Sequence, residues 1–227
     1  MRVTSAVWFR QCLLLVILLH VGARKHVKRK PLKITWERFK SAVTANKFPP
    51  PSKEQYRGFV HSLNYAGIKN EREAAMYLAQ LLHESGGLHY KQELAYKDKS
   101  YDPYKSDLDV PGKRYFGRGY IQLTWAENYL NASRGIYKDD RLLQNPDLVA
   151  NDEKAAFLTA GWYWKTRVAV VPGVKKGRFG EATRAITGVI ECNGNYLKSS
   201  KKRFKYYKVI FHKFGAKGRP DERGCYN

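Results

Sequence analysis

The sequence predicts a mainly α protein built as one domain. Three observations carry that prediction: apolar residues recur at helical spacing, helix-starting and helix-stopping residues bracket them, and strand signals are sparse. The chain has 227 residues, 43% of them apolar and 14% aromatic, enough to bury a core and to exclude disorder over most of its length. No repeat of about 20 to 50 residues recurs. Three cysteines exclude a disulfide-rich miniature scaffold and a Cys-clustered zinc module.

At the start of the chain, Arg2 and Arg10 precede the apolar run Cys12–Leu19, which ends in the small-residue pattern Val21-Gly22-Ala23. Residues 1–23 therefore read as a signal peptide of a secreted, extracellular protein. The run falls short of the roughly 20 apolar residues that cross a bilayer, so no membrane anchor is expected. Its removal takes Cys12 away and leaves Cys192 and Cys225 as an even pair. In an oxidising compartment a bridge between them is the expected state, with two free buried thiols as the alternative. Residues 24–33 are almost all basic and without apolar period, a flexible arm. The folded domain spans 34–227.

Within that domain, Trp36, Phe39, Ala42 and Val43 share one helical face, and the Phe48-Pro-Pro-Pro51 block stops it. Ser52 with Gln55 makes a capping box that opens a second helix carrying Tyr56, Phe59, Val60 and Leu63, closed by Gly67. Asn70 caps a third, with Glu73 three residues on and apolar residues at 74, 75, 78, 79, 81 and 82, stopping at Ser85-Gly86-Gly87. Asn145-Pro146-Asp147 opens a stretch that is helical from about 152 to 164, and further helix is predicted over 181–190 and 199–213. The glycine-rich, aromatic segment from 86 to 129 reads as irregular, the place for a site on a helical scaffold. Asn131-Ala132-Ser133 matches the N-glycosylation acceptor pattern, usable if it lies on an exposed loop.

Glu84 stands on the last turn of the third helix, where unsatisfied carbonyls disfavour negative charge. Partial burial acts in the same direction, so its proton affinity should be raised, as a general acid requires. Glu93 follows past a flexible Ser-Gly-Gly turn. Two carboxyl groups across a gap are what hydrolysis of a glycosidic bond needs, one to protonate the leaving oxygen and one to act on the opposite side. Five histidines beyond residue 23, His26, His61, His83, His89 and His212, show no metal-ligand spacing, so neither a metal nor a cofactor is expected. His83 adjoins Glu84 and is read as a packed or hydrogen-bonded side chain. Gly117-Arg118-Gly119 reads as a tight turn rather than a phosphate loop.

Several motifs resemble one family. They are His83-Glu84-Ser85-Gly86-Gly87 with Lys91-Gln92-Glu93, the run from Gly112 to Thr124 with Asn128-Tyr129, Asn145-Pro146-Asp147-Leu148-Val149, Trp162-Tyr163-Trp164, and Glu191-Cys192. In this order they resemble glycoside hydrolase family 19 chitinases over about residues 48–227. The short interval from Glu84 to Glu93 is similar to compact members with few cleft loops. The resemblance implies a lysozyme-like, two-lobed helical domain with a central substrate cleft, and a secreted endochitinase hydrolysing β-1,4-linked N-acetylglucosamine polymers with inversion.

By the same resemblance, Glu84 is the general acid, Glu93 the general base, and Thr124 stands where a serine helps hold the attacking water. Gln122, Asn128, Ile186 and Thr187 fall on cleft positions, Thr187 replacing an asparagine. Glu191 and Arg203 match a buried charged network, and Cys192 and Cys225 match a disulfide of the family. Glu127 and Asp107 replace aromatic residues. Of the aromatic residues Tyr96, Tyr101, Tyr115, Trp125 and Tyr129, we assign sugar contact to Tyr115 and Trp125.

Two rival readings accompany this one: a peptidoglycan hydrolase on the same scaffold, and a noncatalytic protein binding chitin or cell wall. The expected partners are chitin or chitooligosaccharides, for a monomeric chain. The net charge of +22, or +20 without residues 1–23, adds anionic microbial walls as a further partner, with solubility as the plainer explanation. Nucleic acid is not expected, because the chain is exported and has no reading module.

Overall fold

A computed structural model describes residues 32–96, 98–99 and 101–227, without the side chain of residue 195. The signal-peptide reading, Cys12 and most of the basic arm lie outside the described residues. Ten α-helices account for about half of the described residues: α1 (Trp36–Thr44), α2 (Lys53–Ala66), α3 (Glu71–Glu84), α4 (Ala126–Tyr137), α5 (Arg141–Gln144), α6 (Leu148–Asn151), α7 (Glu153–Tyr163), α8 (Pro172–Lys175), α9 (Phe179–Thr187) and α10 (Leu197–Lys213). Among the described residues, no helix is long and apolar enough to cross a membrane.

The helix starts follow local chemistry. Thr35 accepts from the Arg38 N–H, Asn70 from Glu73 and Asp152 from Ala155, while Ser52 and Gln55 close the reciprocal capping box. Gly67 ends α2 in the left-handed conformation. From Ala74 to Leu82 every residue of α3 is buried, so this helix is the central rod. It packs on α10, and α2 packs on α7. Phe39 and Phe59 stack at 4.8 Å between ring centroids, Tyr77 meets Trp164 edge-on at 5.4 Å, and Tyr120 meets Phe157 at 4.3 Å.

Three expectations are corrected. The irregular segment ends at Trp125, because α4 begins at Ala126; Trp125, at φ 76°, gives that start no side-chain cap, which removes the signal by which a helix is recognised. Asn131 consequently sits on a helix and not on a loop. The helix predicted over 181–190 runs from Phe179 to Thr187, stopped by Gly188 at φ 64°.

Cys192 and Cys225 are joined, as the cysteine count suggested, with 33 residues of sequence separation. Closing a loop of that length restricts the unfolded chain by roughly 3–4 kcal/mol on the chain-entropy model. The bond ties the short turn Ile190–Cys192, one side of the cleft described below, to the chain's last residues. Replacing both cysteines by serine should lower the melting temperature by about 10 °C at this size, measured by thermal denaturation with and without reductant. Reductant should then have no effect on the variant.

Candidate active site

One cleft of about 500 Å³ is lined by Glu84, Glu93, Gln122, Thr124, Trp125, Asn128, Ile186, Thr187, Glu191 and Arg203, so most of the predicted site residues meet in one place. Ile121, Tyr104 and Tyr163 join them without having been predicted.

One wall is built from the C-terminal end of α3, the end of α9 and the inner face of α10. Arg203, 2% exposed, projects from α10 and gathers three partners. Its Nη1 lies 2.6 Å from Glu84 Oε1 and donates to Gln80 Oε1 at 3.0 Å, while Nε and Nη2 fork onto the two oxygens of Glu191, each at 2.8 Å. Gln80 in turn donates to Thr183 of α9 at 3.1 Å. A guanidinium this deeply buried persists because carboxylates surround it. For Glu84 two influences compete. Burial raises its pKa above the ordinary carboxylate value, Arg203 acts against that, and burial wins. His83, next in sequence, is pushed down to about 3 by burial and by the nearby charges of Arg203 and Lys202. It stays neutral at ordinary pH, packed near Tyr206.

Irregular backbone makes the other wall. The Glu93 N–H donates to the Gly117 carbonyl at 2.8 Å, and the Gly117 N–H returns a bond to Glu93 Oε2 at 3.1 Å. A side chain at position 117 would place its Cβ 3.2 Å from that oxygen and 2.9 Å from Gln122 Oε1, so it would push the ends of these two cleft side chains aside. Tyr104 donates to the other oxygen, Oε1, at 3.0 Å. Burial and the Glu93 carboxylate raise the phenol's pKa, so Tyr104 keeps its proton and remains a donor.

Tyr104 stacks edge-on against Trp125 at 5.4 Å and against Tyr96 at 5.5 Å, making an aromatic edge to the cleft. Gln122 and Trp125 both take left-handed φ, 54° and 76°, on either side of Thr124. Such strain clusters at functional sites. The Thr124 hydroxyl donates to the Gln122 carbonyl at 2.8 Å, and the Asn128 amide donates to the Thr124 carbonyl at 2.8 Å. Thr187 donates to the Thr183 carbonyl at 3.1 Å.

Tyr115 corrects the sequence reading. It is fully buried, with its hydroxyl donating to the Leu143 carbonyl at 2.8 Å and its ring against Tyr129, so no face is left for a sugar. Tyr129 is likewise core, whereas Trp125, 44% exposed, lines the cleft. Arg118 serves the turn it sits in, bonding the Arg114 carbonyl and Asp147 while its guanidinium lies over Phe116. Tyr104 escaped the sequence reading because nothing in its spacing sets it apart from Tyr96 and Tyr101 in the same irregular segment.

The elevated Glu84 has a thermodynamic consequence with a definite sign. A carboxyl whose folded pKa lies above its unfolded value binds more protons when folded, so its contribution is present at low pH and is lost as pH rises through the folded value. Relative to Glu84→Gln, the native chain should lose stability progressively above about pH 4.5, the ordinary glutamate value, in melting temperatures measured from pH 4 to 8. A constant difference across that range would contradict the assignment.

The glycoside hydrolase family 19 model, described as Chitinase class I, matches residues 51–178. An endochitinase of Arabidopsis thaliana is 41% identical over 143 residues, 63% of this chain and 48% of the relative. The chain spans about half the length of the curated relatives it matches. Among solved structures, the Class IV chitinase of Zea mays superposes with a TM-score of 0.64 at 28% identity, covering 80% of this chain and 94% of that one. Chitinase C from Streptomyces griseus gives 0.67 at 29% identity, covering 83% and 81%. The lysozyme-like helical fold is thereby the one found, and the chain belongs to glycoside hydrolase family 19.

Proposed function

We propose that residues 34–227 form the catalytic domain of a secreted endochitinase that cleaves β-1,4-linked N-acetylglucosamine chains with inversion. The observation that carries this reading is the shared cleft with two differently supported carboxyl groups. Glu84, its proton affinity raised by burial, gives its proton to the glycosidic oxygen. Glu93 takes a proton from water that attacks the anomeric carbon from the other face. Because the Thr124 hydrogen is committed to the Gln122 carbonyl, its oxygen is left to accept the water's second hydrogen. That would aim a water lone pair at the sugar. Arg203 restrains Glu84 and offsets the charge left on it after transfer.

Tyr104 and the Gly117 N–H hold the two oxygens of Glu93 and fix its plane. Trp125 offers an apolar face for a pyranose ring, with Gln122, Asn128, Ile186 and Thr187 lining the remaining subsites. An oxidising, extracellular location agrees with the Cys192–Cys225 bond.

Reducing-end release from chitin hexamer tests the proposal. Glu84→Gln should lower kcat by about 100-fold to 10,000-fold with the fold intact by circular dichroism. Tyr104→Phe, which keeps the ring, should lower kcat about tenfold with KM changed less than threefold, because one charge-assisted hydrogen bond to the base is lost. Full activity in Glu84→Gln, cleavage of purified peptidoglycan without cleavage of chitin, or binding to chitin with no hydrolysis by the native chain would each overturn the reading.

A further inference from the structure

The outer face of α10 carries six exposed lysines, Lys198, Lys201, Lys202, Lys205, Lys208 and Lys213, and the helix contains no acidic residue. At 100° per residue these positions fall within one arc, opposite the buried face that carries Arg203, Tyr207, Ile210 and Phe211. The stripe is about 22 Å long, from fifteen residues at 1.5 Å each. Lysines at three- and four-residue spacing repel one another along it. Among the described residues none of the six has a carboxylate within ion-pair distance, although aspartates elsewhere pair with Arg114, Arg118, Arg141 and Arg223. A solvated helix face ordinarily mixes signs, and this one does not.

The positive surface continues beyond the helix. Lys208 lies 5.3 Å over the ring of Phe204, and Phe204 also lines a second cavity, of about 620 Å³, with Arg72, Lys176 and Arg219. Arg72 is held there by donating to the Arg219 and Lys217 carbonyls, so its charge is fixed without being neutralised. The two acids of this cavity do little to cancel these cations, since Asp221 is paired with Arg223 and burial pushes Glu222 up to about 7.

We propose that this face binds an acidic polysaccharide and thereby holds the protein on an anionic matrix while the cleft, on the other side of the same helix, works on a neutral chain. The choice of polymer follows from the residues. The stripe contains lysine and no exposed arginine, giving mobile point charges suited to carboxylates spaced along a polymer rather than forks suited to phosphate. Its aromatic neighbours Tyr206 and Tyr207 are buried, and the half-buried rings of Phe204 and Tyr226 are covered by Lys208 and Lys201, so among the described residues the stripe presents no run of open rings on which successive bases could stack, as single-stranded nucleic acid would require; Tyr196, which is exposed, lies ahead of the helix. The binding does not depend on the hydrolytic reading, because it is measured without turnover.

Binding of the full chain to polygalacturonic acid, followed by calorimetry at 50 mM and 200 mM salt, tests the proposal. The expected result is binding that weakens at least tenfold at the higher salt. It should weaken at least tenfold again in the Lys201→Gln, Lys205→Gln, Lys208→Gln triple variant. A control triple variant with the same charge change at exposed lysines of other elements, Lys113→Gln, Lys138→Gln, Lys154→Gln, should lose less than threefold. Equal losses in the two triple variants would show a net-charge effect without a defined face and would overturn the proposal. So would the absence of binding at 50 mM salt, or tighter binding to a single-stranded oligonucleotide than to polygalacturonic acid.

Discussion

The buried guanidinium of Arg203 is the constraint on which the cleft depends. A charge at 2% exposure is tolerable when its donors are occupied, and here they are occupied by Glu84, Glu191 and Gln80. Those partners come from α3 and from the turn after α9, and Gln80 extends the chain of bonds to Thr183. One side chain therefore fixes the relative placement of three helices and of the carboxyl at the end of the central one. The Cys192–Cys225 bond secures the Glu191 turn from behind. The same interaction sets the chemistry. Arg203 limits how far burial can raise Glu84, so the carboxyl is held close to the charge it would need to lose its proton.

Glu93 is supported by different means. Among the described residues no cation pairs with it; a phenol and the Gly117 backbone amide hold it. The contrast between the two walls gives two chemically identical side chains different surroundings, one buried beside a guanidinium and one bonded to a phenol and a backbone amide. The strained backbone at Gln122 and Trp125 belongs to this second wall. It turns the Thr124 hydroxyl and the Trp125 ring into the same cleft.

What could be read from the sequence was whatever has a local cause. Ser52 and Asn70 marked helix starts because their side chains bond backbone three residues on, whereas the cap of α7, Asp152, was passed over for Asn145-Pro146-Asp147. Glu84 could be singled out because its position at a helix end follows from the pattern before it. The pairing of α3 with α10 through Arg203 was legible through family resemblance alone, since residues 84 and 203 are distant in sequence. Helix α4 was missed because Trp125 begins it without a cap. Tyr115 was misread and Tyr104 overlooked for one reason: which way a tyrosine faces is decided by tertiary packing, Tyr115 finding the Leu143 carbonyl and Tyr104 finding Glu93.

In the proposed reaction two carboxyl groups act from opposite sides of one sugar, with water entering between. Proton NMR of the first products formed from chitin hexamer reads this directly, before mutarotation equilibrates the anomers. Water attacking opposite the departing β-linked oxygen should release new reducing ends as the α anomer. Initial accumulation of the β anomer would mean retention, a covalent or substrate-assisted route, and would contradict the roles assigned to Glu84 and Glu93.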